Sequence, residues 1–224
     1  TLEALSGDAI SGYLRAVTIL PPAIRDSLFT PAFRASLGGY ETSELLRDHA
    51  GRAGTDDPLA RAQYLDVKTW LPGGMLTKVD RASMANALEV RAPFLDHVLA
   101  EWAARLPTSL KIAGMEGKAI LKRALKPYLP DDVLYRPKQG FSLPLADWLR
   151  RQLHDAVQDL ADSTTLSATG CFDMATVQRL IGEHQSRRAD HSRALWALFV
   201  FSMFLDRDRR HPRGRATWHR PEAA

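Results

Sequence analysis

The 224 residues predict a mainly α-helical chain, and three observations carry that expectation. Apolar residues recur at three- and four-residue spacing in most segments, the period of an amphipathic helix. Several of those segments open at an aspartate suited to N-capping and close at a proline or glycine. No alternating apolar–polar run is long enough for a strand, and no repeat of 20–50 residues marks a solenoid.

Residues 1–56 read as a helical and loop lead-in, with the polar, glycine-bearing Ser36–Thr55 stretch a surface connection. Asp57-Pro58 opens a helix carrying Ala62, Tyr64, Leu65, Val67 and Leu71, which Pro72-Gly73-Gly74 should break. The next begins near Leu76 and runs through Met84 toward Leu88. Leu95, Val98, Leu99, Trp102 and Leu106 follow at helical spacing, with Asp96 as N-cap and Pro107 as the stop. After the Gly114–Gly117 turn, Ile120, Leu121, Ala124 and Leu125 share one helix face until Pro127.

Three further helices are expected: Pro144 to about Leu160, Asp173 to about His184 with Val177, Leu180 and Ile181 inward, and Asp190 to about Leu205. Trp70, Trp102, Trp148, Trp196 and Trp218 fall mostly at apolar positions and read as core anchors. The chain thus divides into the lead-in, a main helical part at 57–206, and a basic, disordered tail at 207–224.

Composition narrows the function classes. An apolar share of 45% and a charged share of 25% are those of an ordinary soluble globular protein. Cys171 is the only cysteine, so neither an internal disulfide nor a cysteine-based metal site can form, and a reducing, cytoplasmic setting is expected. The chain starts at Thr1 rather than Met, the expectation for a fragment or a processed product. Its most apolar segment, Ala194–Leu205, is too short for a membrane span of roughly 20 residues.

The net charge of +4 sits in the tail, where Arg207, Arg209, Arg210, Arg213, Arg215 and Arg220 crowd together. Without them the chain is close to neutral, so a nucleic-acid partner is not expected. A polyanion contact through the tail would show a steep salt dependence, lost on deleting residues after Asp206.

Two segments point to chemistry. In Leu134-Tyr135-Arg136-Pro137-Lys138-Gln139-Gly140-Phe141, Pro137 fixes its own φ and biases Arg136 away from the helical region, while Gly140 permits conformations that others avoid. A lysine set there can neutralise phosphate charge, which makes Lys138 a catalytic candidate. In Met75–His97, Leu76, Val79, Ser83, Ala87 and Val90 share one side of a helix. Asp80, Arg81, Glu89 and Arg91 are then expected to be partly buried and therefore paired. They either form an ion-pair network that sets how the helix enters the next, or shape a substrate cleft. The seven histidines form no HExxH-type pair, so no metal site is expected. Ser83 and Ser142 have no His/Asp arrangement to activate them.

Taken together, "DRASM" at Asp80–Met84, "EVRAPFLDH" at Glu89–His97, the Gly117-Lys118 turn and "YRPKQGF" at Tyr135–Phe141 resemble the C-terminal synthetase domain of glutamine-hydrolysing asparagine synthetases. The likeness runs from about Asp57 to Leu205, with the flavour of the exopolysaccharide-associated amidotransferases in "LARAQYLDVKTWLPGGMLTKVDRASM". It implies the helical C-terminal part of an α/β adenine-nucleotide-hydrolase-like (PP-loop ATP pyrophosphatase) synthetase domain, with most of the sheet missing. It also implies ATP and Mg2+ as cofactors and adenylation of a small-molecule carboxylate, aspartate by family default. Ammonia from an N-terminal glutaminase then forms the amide. Lys138 matches the family lysine beside the phosphates, Asp80 and Arg81 would shape the substrate side, and Glu89 and Arg91 would support them as ion pairs. A homodimer of the full-length protein is compatible with this.

The departures are as informative. The family's Ser-Gly-Gly-x-Asp-Ser phosphate loop does not occur, and Ser6-Gly7-Asp8 lacks the Asp-Glu pair that completes the family's acidic segment. The glutaminase nucleophile is missing too, and Cys171 does not replace it. The isolated chain is therefore expected to be inactive. A non-catalytic helical remnant, or a docking module for a separate nucleotide-binding chain, stays open beside the enzyme reading.

Overall fold

The computed structural model describes residues 9–137 and 143–210, and it is mainly helical, as the apolar spacing predicts. Helices are numbered along the chain, α1 to α15 among the described residues. The chain forms two compact units, Thr1–Ala16 with Glu41–Gly140 and Val17–Tyr40 with Phe141–Ala224. No helix among the described residues is long and apolar enough to cross a membrane.

The core of the first unit is small. Leu46 and Ala50 of α4 (Thr42–Gly51) and Leu65 of α5 (Pro58–Lys68) are buried, with Ile10, Tyr13 and Leu14 of α1 (Ala9–Val17) against them. The Tyr13 hydroxyl donates to Asp66 at 2.6 Å, and burial together with that carboxylate pushes the phenol pKa up. Helix α4 corrects the expectation of a surface connection at Ser36–Thr55. Leu46 and Ala50 lie four residues apart, on one helical face. They are the buried positions of an otherwise polar helix, and two positions are too few to show a period.

Asp57 caps α5 as expected, accepting the Ala60 N–H at 2.8 Å, with Pro58 in the first turn. Pro72-Gly73-Gly74, however, does not break the chain's helical course. It lies in a π-helical turn at Leu71–Leu76 that runs directly into α6 (Thr77–Met84). Pro72 sits in the first turn of that element, where a missing N–H costs little. Its carbonyl accepts the Thr77 hydroxyl at 2.8 Å and the Thr77 amide as well. Helix α6 stops at Met84 rather than continuing to Leu88. The Leu88 amide turns back to the Ser83 carbonyl at 3.0 Å, and Ala87 takes a φ of +54°.

A 3-10 turn at Pro93–Leu95 leads into α7 (His97–Arg105), which Asp96 caps by accepting the Leu99 N–H at 3.0 Å. Helix α8 (Thr108–Lys111) then meets a short hairpin of β1 (Ile112–Ala113) and β2 (Glu116–Gly117), paired Ile112 to Gly117 and Ala113 to Glu116. Strands of two residues cannot show alternation, so this hairpin escapes a sequence reading. Helices α9 (Ala119–Leu125) and α10 (Asp131–Leu134) complete the unit.

The second unit has the larger core. Leu28 of α2 (Pro22–Leu28) packs with Leu149, Val157, Leu166, Val177, Leu180 and Leu195. Val177, Leu180 and Ile181 of α14 (Met174–Gln185) are buried as expected, and Asp173 caps that helix by accepting the Thr176 N–H at 3.2 Å. Phe29 and Phe172 form an isolated antiparallel bridge, flanked by the Asp173 amide donating to the Leu28 carbonyl at 2.8 Å. Near it, the N-cap Thr30 of α3 (Pro31–Ser36) donates its hydroxyl to the Gly170 carbonyl at 2.7 Å. Helix α13 (Thr164–Ser167) and the long α15 (Ser192–Arg210) close the unit.

The single helix expected from Pro144 to Leu160 is two, α11 (Leu145–Arg150) and α12 (His154–Gln158). Leu145, Leu149, Leu153 and Val157 all face the core. In one straight helix each four-residue step would rotate by about 40°, carrying the last of them well off that face. A break at Arg151, with φ −121° and ψ −83°, resets the direction.

The tryptophans also depart from expectation. Trp70 is 52% and Trp102 is 53% exposed, Trp196 is exposed, and Trp148 is half-buried. They sit at apolar positions, and position alone does not bury them. Trp218 lies outside the described residues.

Candidate functional site

Asp80 and Arg81 lie on α6, and Glu89 and Arg91 follow in the extended segment after its C-terminal turn. All four are exposed, which corrects the expectation of partial burial. Met84, Leu88 and Val90 between them and Phe94 just after are exposed as well, so nothing described in the first unit covers this segment. Glu89 and Arg91 do form an ion pair, at the surface. Asp80 and Arg81 have no ion-pair partner among the described residues, and the structure does not bring them together with Glu89 and Arg91 through any ion pair or hydrogen bond. An exposed ion pair contributes little stability, so Glu89–Arg91 acts here as a local surface contact.

Lys138 lies outside the described residues. The segment leading to it does not. Tyr135, three residues before it, lies under the Lys122 ammonium of α9, with Nζ 5.0 Å from the ring centroid. Lys122 also forms an ion pair with Glu116 of β2 and is the more buried partner of that pair. One cation thus joins the hairpin, α9 and the chain just after α10. Lys118 precedes α9 with a φ of +61°, the left-handed geometry of the Gly117-Lys118 turn. Sequence reasoning passed over Lys122. Its signal was a lysine flanked by Leu121 and Leu125 on a short apolar helix, where a buried stem calls for a partner at its head.

In the second unit, polar groups gather at the turn between α14 and α15. His184 is fully buried, and its Nδ1 accepts the backbone N–H of His191 at 3.2 Å. Burial first, and the Arg150 guanidinium second, hold the His184 pKa below its ordinary value of 6.5. The His191 ring donates Nε2–H to Glu183 at 2.6 Å, and Arg179 donates to the same carboxylate at 3.0 Å. These two partners hold the Glu183 pKa below the usual carboxylate range.

Two concavities lie in this unit. One, of about 150 Å3, is lined by Ile19, Pro21, Ile24 and the turn residues Asp190 to Ala194. The other, an open cup of about 330 Å3, carries Asp159, Asp162 and Asp206 on its wall. The first is smaller than the few hundred Å3 a nucleotide needs, and the acidic wall of the second repels a polyphosphate. Neither includes a residue of the motifs named above. No three His, Cys, Asp or Glu side chains gather as metal ligands among the described residues, so the groups present do not fit a Mg2+ site.

Comparison with known proteins identifies the relatives of this chain. The asparagine synthase family model matches residues 9–206. A Mycobacterium tuberculosis (strain H37Rv) protein named as a glutamine-hydrolysing asparagine synthetase is 43% identical over 150 residues, covering 66% of this chain and 22% of that protein. Glutamine-hydrolysing asparagine synthetase 1 of Bacillus subtilis (strain 168) is 34% identical over 144 residues, 64% of this chain and 22% of that protein. The amidase chyE of Penicillium rubens is 32% identical over 131 residues, 55% of this chain and 20% of that protein. The chain therefore spans about a fifth of the length of the curated relatives it matches. No solved structure matches it.

Proposed function

The chain belongs to the asparagine synthase family, and from that premise we propose that it is the helical C-terminal part of an ATP-dependent amidotransferase. The observation that carries this reading is the joint, ordered occurrence of Asp80–Met84, Glu89–His97 and Tyr135–Phe141 inside the family-matched span. The complete protein adenylates a carboxylate, releasing pyrophosphate, and glutamine-derived ammonia displaces AMP to give the amide. Aspartate is the default acceptor. A sugar carboxylate is the second reading, favoured by the stretch from Leu59 to Met84 that resembles the exopolysaccharide-associated branch.

Within this scheme Lys138 is the catalytic cation. Its ammonium is a point charge suited to the negative charge that grows on the α-phosphate and the departing pyrophosphate. Asp80 and Arg81 line the substrate side, and the Glu89–Arg91 pair braces the segment behind them. The parallel sheet, the phosphate loop, the Mg2+ carboxylates and the glutaminase belong to sequence not found in these residues. The protein works in the cytoplasm, where Cys171, the one cysteine of these 224 residues, stays reduced.

The exposed apolar side chains of the motif segment, Met84, Leu88, Val90 and Phe94, support a reading in which this segment meets further protein. The deciding experiment is Lys138→Ala in the longer parent protein, with amide and AMP production measured. A loss of two orders of magnitude or more is expected for an electrostatic catalyst. Near-normal turnover would overturn the assignment.

A further inference from the structure

The histidine cluster of the second unit is independent of the proposed reaction and has its own chemistry. Arg150, the last residue of α11, donates Nε–H to the His184 carbonyl at 2.8 Å and brings Nη2 to 3.4 Å from His184 Nδ1. Gln185 donates to the Leu149 carbonyl at 2.9 Å. On the other side, the His191 amide donates to His184 Nδ1, while Asp190 lies 3.5 Å from that nitrogen and accepts the Ser192 amide at 2.9 Å. The end of α11, the end of α14 and the start of α15 therefore meet at one buried imidazole.

We infer that this cluster is a proton-operated latch, in which charging His184 releases the end of α11 from the α14–α15 turn. The neutral ring uses the Nδ1 lone pair as an acceptor. A proton placed there turns the acceptor into a donor facing two other donors, the His191 N–H and the Arg150 guanidinium, with only the Asp190 carboxylate, 3.5 Å away and already accepting the Ser192 amide, to receive it. The His191 amide bond to the ring is then lost, and like charge from Arg150 pushes the end of α11 away.

The surrounding groups set the balance. Burial, Arg150 from α11 and His191 from the turn oppose the charge, in that order of weight with burial first. The Ala146 carbonyl and Asp190 favour it and rank behind burial and Arg150. Glu183 is already engaged by His191 and Arg179. The folded ring therefore holds its proton less tightly than the unfolded one. The latch is fully closed above about pH 6.5 and weakens as pH falls from there toward the folded value.

The test is a histidine-ring NMR titration of the full 224-residue chain, with amide exchange measured between pH 7.5 and 5. The His184 ring should titrate below 6.5. Protection of the His191 amide, corrected for intrinsic rate, should fall as pH drops through that range, the direction that a lowered His184 pKa requires. Arg150→Gln removes the facing charge and should move the His184 midpoint up toward 6.5. His184→Asn keeps an acceptor for the His191 amide and should abolish the pH response. A midpoint at or above 6.5 in the unaltered chain, protection that stays flat, or an Arg150→Gln midpoint that does not move would each overturn the latch. The Arg150→Gln result decides the matter even where His184→Asn fails to fold.

Discussion

The Asp57 carboxylate accepts the Thr108 hydroxyl at 2.9 Å, across 51 residues of chain. Its other oxygen caps α5 through the Ala60 amide at 2.8 Å. One side chain thus starts a helix and fastens α8 to it. Thr108→Val removes the second contact while leaving the cap, and should shift the unfolding equilibrium of the first unit about fivefold, the worth of one ordinary hydrogen bond. The Ala60 amide first, and Thr108 second, hold the Asp57 pKa below 3.8. A lowered carboxylate pKa contributes stability that is complete above 3.8 and fades as pH falls through the folded value. The difference between Thr108→Val and the unaltered chain should therefore shrink below about pH 4, in urea melts run across pH 3 to 7.

Leu180→Ala tests where the second unit keeps its stability. Leu180 is fully buried on α14, so truncation removes apolar contact and leaves a cavity. The expected loss is about 2–5 kcal/mol, a large share of the stability of a small unit. Trp102→Ala makes the contrast. Its ring is half exposed in the first unit, and in this chain its removal should cost less than about 1 kcal/mol despite the larger side chain. Equal costs in denaturant melts would contradict the burial pattern.

These two units differ in how far their residues announced them. Asp57, Asp96 and Asp173 were legible as caps because a cap is a local hydrogen bond, decided within three residues. Val177, Leu180 and Ile181 were legible because a periodic stripe and a buried stripe coincide in α14. The stripe of Val98, Leu99 and Trp102 on α7 has the same period but remains exposed, since periodicity identifies a face and not what covers it. Pro72-Gly73-Gly74 misled because a proline in a first turn and a proline in a helix interior look alike in sequence. The candidate site shows the same division. Glu89 pairs with Arg91 at the surface, since burial depends on neighbours that local pattern does not specify. Lys138 was read from motif chemistry alone and lies outside the described residues.

Lys122→Met tests the tie between the β1–β2 hairpin and Tyr135. The substitution keeps an apolar stem and removes the charge that meets Glu116 and the tyrosine ring. Two partly exposed contacts of this kind are worth about 1 kcal/mol together. Exchange of the Glu116 and Gly117 amides should quicken, and the Tyr135 ring resonances should move toward random-coil positions. A variant whose Tyr135 signals stay in place would show that the ring is held by something else.

Phe94 and Val98 test whether the motif face is a contact surface. They lie four residues apart, at 68% and 64% exposure. Water ordered around them favours any arrangement that covers them. In this chain alone, Phe94→Gln with Val98→Gln should leave the unfolding midpoint nearly unchanged, since little burial is lost. The same pair should reduce self-association in light scattering and binding of an apolar dye. Under the proposed function a longer parent protein covers this face, and there the double variant should destabilise by about 2–4 kcal/mol, the transfer cost of two large apolar side chains. A parent protein as stable with the substitutions as without them would show that this face stays open to water.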